Sequence, residues 1–356
     1  MKKVLGKKMP TKINRGLLRK GTGNPTVVFP EKGRVVLEDR PVPVAGEGQV
    51  LIQSDRTLIS TGTELTMMTG DFPAGSFWDN YTRYPVLPGY CNIGTVVGLG
   101  KNVDKKWLGQ RVGSWGGHSR FAVVPATECR PVLHDTPSEQ AAFFTLGEIV
   151  MHGVRRSGVR WGESAVVHGL GLIGQLTVQF CRIAGARPVI GVDISPSRIG
   201  YLPECRSVIS INPKTENLVE KVEQLTRQRK ADVVFEVTGN PDLIPKQFEV
   251  LRDQGRFVVL SSPRGKTSFD FHDLCCAPSY TIIGSHNFSH PKFATPDNPW
   301  TLLRDGELFF DYLAEGALEI DRLISHRASY TKACTLYKTL LRDRSTAMGV
   351  ILDWTA

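Results

Sequence analysis

The residues best placed to do chemistry in this chain are three glycines and an acid. Gly169, Gly171 and Gly174 follow the apolar run Ser164–His168 as Gly-x-Gly-x-x-Gly, with Leu172 and Ile173 filling the last gap. Asp193 ends the next apolar run, Val189–Val192. A strand, this triplet, a helix, a second strand and an acid, in that order, make a dinucleotide site. The first glycine allows a tight turn, the second lets a pyrophosphate approach a helix N-terminus, and the third lets helix and strand pack closely. The acid then accepts the adenosine ribose hydroxyls. A carboxylate there repels the 2′-phosphate of NADP, so NAD is the expected cofactor and NADP the second choice. Arg198 could hold a ribose hydroxyl of NAD or help admit NADP, and Thr238, after the strand expected over 232–237, joins the cofactor set.

Other side chains could move a proton. Glu148 interrupts the apolar segment 143–153, where an acid needs a reason. It is either a surface acid on a helical turn or a desolvated carboxylate facing a cleft as general base, and we expect the second. His152 shares its helical face and could pair with it, although a buried structural histidine is the plainer reading. Trp78, Tyr81, Trp115 and Phe288 either wall a pocket for a flat or sugar-like ligand or fill cores. His168 is expected to pack behind the glycines.

These residues need elements to hold them. Up to about residue 150 the pattern is short strands and turns, with strands at 26–29, 33–38 and 49–54, as in a β-rich domain. From Trp161 the period changes. Strands at 164–168, 189–193, 207–211, 232–237, 255–260 and 280–284 alternate with helices at 171–184, 214–228 and 242–252, the order of an open parallel sheet. Helices at 302–314 and 333–341, an extended 323–326 and a strand at 348–352 close the chain.

Composition narrows the class. An apolar fraction of 41% and a charged fraction of 22% suit a globular protein with two cores. The net charge of +9 comes from an arm: residues 1–25 hold eight of the 44 Lys and Arg and no acid, leaving 36 against 35 in the body. We therefore expect no nucleic-acid partner, and the absence of a long apolar run predicts no membrane span. Seven scattered cysteines without Cys-x-x-Cys argue against a disulfide framework and a thiolate zinc knuckle, and for a cytoplasmic setting. Cys275 and Cys276 read as small apolar fillers.

The chain resembles the medium-chain dehydrogenase/reductase superfamily over about residues 26–356. The resemblance rests on 35–43, Thr61-Gly62-Thr63-Glu64, Pro88-Gly89-Tyr90, the glycine-rich 94–100, 109–112, the glycine triplet with Asp193, and Leu323-Ile324-Ser325-His326. It implies an α/β protein in two parts: a GroES-like β-rich catalytic domain (26–155) and a Rossmann doubly wound parallel-sheet domain (156–290). Segment 291–356 returns to the catalytic domain, and a homodimer or homotetramer is usual. The zinc members carry ligands at positions that here hold Thr61, Tyr90 and Leu146, and Lys101–Arg111 lacks the cysteines of the structural zinc lobe. Such a set cannot hold zinc. Within the superfamily the chain is most similar to the zinc-less bacteriochlorophyllide hydroxyethyl dehydrogenase-like branch, whose members have varied substrates.

The resemblance also assigns roles. Thr63 stands where the superfamily has its proton-relaying hydroxyl, Tyr90 points into the vacated metal space, Glu64 anchors its loop, and His286 follows the last Rossmann strand beside the nicotinamide. Thr63, Tyr90, Glu148 and His286 are thus the expected catalytic set. The implied function is a zinc-independent, NAD-dependent oxidoreductase interconverting a secondary alcohol and a ketone on a polyol, cyclitol, sugar or hydroxyethyl-type small molecule. The alternatives are an NADPH-dependent enoyl or quinone-type reductase and a non-catalytic nucleotide-binding protein.

Overall fold

The computed structural model describes residues 23–132 and 135–356, so most of the basic arm lies outside the described residues. Two sheets organise the chain. One is built from β3 (Gln49–Ile59), β4 (Asn92–Leu99), β5 (Arg111–Ser114), β6 (Phe121–Pro125) and β7 (Arg130–Pro131), after a small hairpin of β1 (Asn24–Val28) and β2 (Val36–Arg40). The other contains β8 (Ala165–His168), β9 (Val189–Val192), β10 (Val208–Ile211), β11 (Ala231–Glu236), β12 (Leu251–Val259) and β13 (Thr281–Gly284). The chain then returns to the first sheet as β14 (Ile324–Ser329) and β15 (Gly349–Asp353), with β15 antiparallel to β3 through Val350 and Ile59.

The second sheet is parallel and runs β10-β9-β8-β11-β12-β13. Strand order reverses between β8 and β11, and a crevice opens there beyond the carboxyl ends of the strands, where such sheets bind ligands. β8, β9 and β11 are almost wholly buried, with Val166, Val167, Ile190 and Phe235 fully enclosed. Sheets buried on both faces read as continuous apolar runs, which is why these strands were readable.

Two expectations change. The helix expected over 242–252 is broken: Pro245 follows the turn Pro241–Leu243, only Ile244–Gln247 is α-helical, and the chain is extended from Leu251. Proline removes a backbone donor and clashes with the preceding turn, so the segment cannot run on as one helix. Cys276 is exposed and Cys275 partly so, so neither is a buried filler, and all seven cysteines are free. Among the described residues no helix is long and apolar enough to cross a membrane.

Candidate functional site

One cavity of about 690 Å³ opens between the two sheets. Gly169, Gly171, Leu172, Ile173, Gly174, Asp193, Arg198 and Thr238 line it, together with Thr63, Tyr90 and His286. Glu148 is the expected site residue that does not.

The cofactor half follows from the glycines. Gly169 has φ +95°, a conformation that favours glycine. A Cβ on Gly174 would lie 1.8 Å from the Gly169 carbonyl oxygen, so the first turn of the helix Leu172–Ile183 packs onto the loop only without a side chain there. Gly171 differs: a Cβ would meet nothing within 4 Å, and no side chain caps this helix. Its free amides and open space fit a pyrophosphate. Asp193 accepts the amides of Leu170 and Ser195, each at 2.8 Å, which aims the carboxylate at the crevice, and Arg198 lies 3.7 Å away.

Other groups in the crevice are left without protein partners. His168 Nε2 is buried and unbonded, as are Ser285 Oγ and Asn287 Oδ1, and all three residues line the cavity. His168 is thus not merely packed behind the glycines. Burial lowers its pKa to about 4, so it is neutral near pH 7. These orphaned groups suit a polar ligand such as a nicotinamide dinucleotide.

Sequence reasoning missed one organiser, Glu236. It is fully buried at the end of β11 and accepts the amides of Thr238 (2.7 Å) and Gly239 (3.1 Å) and the hydroxyls of Thr238 and Ser261. It thereby fixes two loops of the crevice floor. The signal was available as an acid at the end of the apolar run 233–235.

The other half is made of hydroxyls and rings. Tyr90 donates its phenol to Ser60 Oγ at 2.6 Å, and Thr63 Oγ1 lies 3.4 Å from it. Burial holds the Tyr90 pKa far above its ordinary value, so the phenol stays protonated and is a donor. Its ring stacks on Trp115 at 5.5 Å. Beneath, Glu64 accepts the Ser60 amide at 2.8 Å, His118 Nε2 stands 3.0 Å from it, and Tyr337 donates to it, so Glu64 anchors the loop.

Glu148 sits one layer back in the helix Phe144–Ser157. It is fully buried, accepts Arg130 Nε at 2.7 Å and accepts Trp115 Nε1 at 3.0 Å. Burial raises its pKa to about 7 against the opposing pull of Arg130. Its route to the cavity is through Trp115. His152 pairs instead with Ser289 Oγ at 2.8 Å and stacks on His290 at 4.0 Å. His286 lies at the mouth between Phe77 and Phe288, largely exposed, with its pKa lowered by the partial desolvation of its ring.

Thr61, Tyr90 and Leu146, where the resemblance places the zinc ligands, all line the cavity. Thr61 and Tyr90 offer hydroxyls, Leu146 is apolar, and the neighbouring Cys91 thiol is hydrogen-bonded with Thr145 Oγ1. Among the described residues no three His, Cys, Asp or Glu side chains gather closely enough to share an ion. Zinc needs about four such donors, at least three of them normally from protein.

Fold and crevice together define a nucleotide-binding oxidoreductase architecture, and the relatives agree. The family profile described as zinc-binding dehydrogenase matches residues 173–300. The L-galactonate-5-dehydrogenase of Escherichia coli K12 is 25% identical over 351 residues, covering 89% of this chain and 95% of the relative. An alcohol dehydrogenase structure from E. coli CFT073 in complex with NADH superposes with a TM-score of 0.79 at 16% identity, covering 94% of this chain and 100% of that one. A zinc-binding-dehydrogenase-type structure from Sinorhizobium meliloti 1021 bound to NADP gives 0.75 at 22% identity, covering 93% and 99%. Residues 173–300 thus match a zinc-binding dehydrogenase domain, and the chain as a whole is similar to alcohol dehydrogenase-like medium-chain dehydrogenases/reductases.

Proposed function

We propose that the protein is an NAD(H)-dependent oxidoreductase that interconverts a secondary alcohol and a ketone without zinc. The observation that carries this reading is the hydroxyl cluster Tyr90–Ser60–Thr63 in the cavity that also holds the glycine cradle. The nicotinamide, when bound, supplies the hydride acceptor or donor. Gly171 and the free amides of Leu172 and Ile173 would hold its pyrophosphate, and Asp193 its ribose hydroxyls.

Zinc in related enzymes neutralises charge on the reacting oxygen, and that task needs a substitute here. Tyr90 is the group suited to it. Its phenol stays protonated, so in the reductive direction its one proton, turned away from Ser60 Oγ, which then donates in its place, makes a hydrogen bond to the carbonyl oxygen as negative charge develops there. In the oxidative direction the alcohol oxygen gives its proton to Tyr90 as Tyr90 gives its own to Thr63 Oγ1, and Thr63 in turn releases one to water in the open cavity that it lines. Thr63 is the second member of that chain. Glu148 holds Trp115, and through it the Tyr90 ring, and His286 offers a neutral imidazole at the mouth.

The test supplies the purified protein with NAD+ or NADH and a panel of secondary alcohols and ketones, before and after exhaustive chelation. Alcohol-dependent change at the nicotinamide band, unaffected by chelation, is expected. Tightly bound zinc whose removal abolishes turnover would overturn the zinc-independent reading. Turnover of enones with NADPH alone would replace the reaction by C=C reduction.

A further inference from the structure

Beneath the Ser60–Tyr90 pair lies a buried histidine to which the reaction above gives no part. His118 stands between β5 and β6, and its side chain and that of Glu64 are fully enclosed. It touches both loops that carry the pair. Its amide donates to the Pro88 carbonyl at 2.9 Å. Gly89, at φ +98°, has no room for a side chain against it: a Cβ would lie 2.7 Å from His118 N and 2.8 Å from the ring carbon Cδ2. The ring thus packs on the backbone immediately before Tyr90, as closely as glycine alone allows. On the other side Nε2 stands 3.0 Å from Glu64 Oε2, and Glu64 Oε1 accepts the Ser60 amide at 2.8 Å.

The donors run in one direction. Trp354 Nε1 can only donate, and it donates to Thr57 Oγ1 at 2.9 Å. The Thr57 proton then goes to His118 Nδ1 at 2.7 Å, which leaves the ring proton on Nε2, facing Glu64. Glu64 also takes the Tyr337 hydroxyl. Trp354, Thr57, His118, Glu64 and the Ser60 amide are thereby joined, and Ser60 Oγ in turn lies 2.6 Å from the Tyr90 oxygen. Buried polar networks whose members are paired make rigid what they hold. None of Trp354, Thr57, His118 and Glu64 lines the cavity, so each acts on the reaction only through Ser60 and Tyr90.

We propose that His118 is a positioning residue for Tyr90. It holds the Pro88–Tyr90 backbone by packing and the Ser60 loop through Glu64, so that the phenol oxygen keeps one place in the cavity. A hydrogen-bond donor that meets developing charge works only from a fixed position, and misplacement by about 1 Å can cost about 10² in rate. The inference rests on the part proposed for Tyr90 in the reaction. The hold on Ser60 does not depend on turnover and is measured without it.

The experiment compares, in the full chain, His118→Leu, which fills similar space without ring nitrogens, and His118→Gln, which returns an N–H to the place of Nε2. Each is also combined with Tyr90→Phe. Rates are measured with NAD+ and a secondary alcohol that the wild type oxidises, NADH affinity by quenching of tryptophan fluorescence, and the Ser60 amide by hydrogen–deuterium exchange. His118→Leu should lower kcat about 10- to 100-fold with NADH affinity within about twofold of wild type, and His118→Gln should recover most of the rate. In the Tyr90→Phe background His118→Leu should cost less than about twofold, because the group it positions is gone. Exchange at the Ser60 amide should quicken about tenfold or more in His118→Leu.

Where Tyr90→Phe slows the enzyme, an unchanged kcat in His118→Leu, or losses that multiply in the double variant, would overturn the inference, since a merely structural histidine lowers the rate whether or not the phenol is present. Unchanged exchange at the Ser60 amide would overturn it as well. If His118→Leu does not fold, Thr57→Val, which keeps the shape and removes the donor to Nδ1, takes its place with the same signs expected. Quickened exchange in a protein that oxidises no alcohol, or whose Tyr90→Phe variant is as fast as wild type, would support the hold on Ser60 and overturn the reaction assigned to Tyr90.

Discussion

The strongest test of the cofactor assignment is Asp193→Asn, because its outcome is read without knowing the substrate. The Asp193 carboxylate accepts Leu170 N and Ser195 N at 2.8 Å each, and its remaining lone pairs face the crevice. Two ribose hydroxyls bonded to it would each contribute about 1.5–3 kcal/mol, as hydrogen bonds to charged groups do. The neutral amide keeps one acceptor oxygen and turns its NH2 toward one of the two backbone amides, so NADH is expected to lose at least the value of one such bond, a fall of about 10- to 100-fold or more. NADPH should change the other way. The amide removes the repulsion of the 2′-phosphate and frees Arg198, now 3.7 Å from the carboxylate. A gain of about tenfold is reasonable for one partly exposed charge pair. Titrating NADH and NADPH by quenching of tryptophan fluorescence gives both constants in wild type and variant. A wild type that prefers NADPH, or a ratio that the variant leaves unchanged, would refute the assignment.

Four further outcomes follow from the geometry. Gly171→Val should leave the unliganded fold intact, because its Cβ meets open space, yet weaken NADH at least about 100-fold. Gly174→Ala should unfold the loop, because its Cβ would lie 1.8 Å from a carbonyl oxygen; equal melting temperatures would refute this contrast. Tyr90→Phe keeps the ring that stacks on Trp115 and loses only the donor, so kcat should fall by about 10²–10³ with cofactor affinity unchanged; steady-state rates within threefold of wild type would remove Tyr90 from the mechanism. Glu148→Leu should cost about 3–5 kcal/mol in urea unfolding, because Arg130 is left buried and unpaired; Arg130→Met with Glu148→Leu should recover most of it.

The pH dependence of stability has a definite sign for His168. Its folded pKa, lowered to about 4, lies below the unfolded value, so the unfolded chain binds a proton that the folded ring refuses. Its contribution is complete above about pH 6.5 and is lost as pH falls toward 4. Glu148 acts oppositely, since its pKa is raised to about 7: its folded form takes up a proton between about pH 7 and 4.5, and stability rises on that account as pH falls. Melting curves of His168→Gln should therefore show a shallower acid loss than wild type, and identical slopes would exclude the burial argument.

The cofactor half was readable from residue types because its physics is local. A turn, a helix N-terminus and a buried strand are written in neighbouring residues, and Gly169–Gly174 with Asp193 states them within a short stretch. The break at Pro245 is local as well, a proline set inside an otherwise helical apolar period. The substrate half was not local. Glu148 was recognisable as an acid needing a partner, but that partner is Arg130 and not His152, and strand packing brings them together. His168, Ser285 and Asn287 emerged as cavity groups only because folding left their polar atoms without partners.

By itself, the sequence pointed to a parallel sheet with a dinucleotide cradle, and to threonine, tyrosine and leucine at the positions where the resemblance places zinc ligands. The tertiary structure decided what surrounds those side chains. It set Tyr90 against Ser60 and Trp115, withdrew Glu148 behind Trp115, and joined rings more than 200 residues apart, Phe77 and His286, at one mouth. The physical reason is range: backbone geometry is dictated by adjacent residues, whereas burial, pairing and the resulting pKa values depend on which distant side chains the packed core brings into contact.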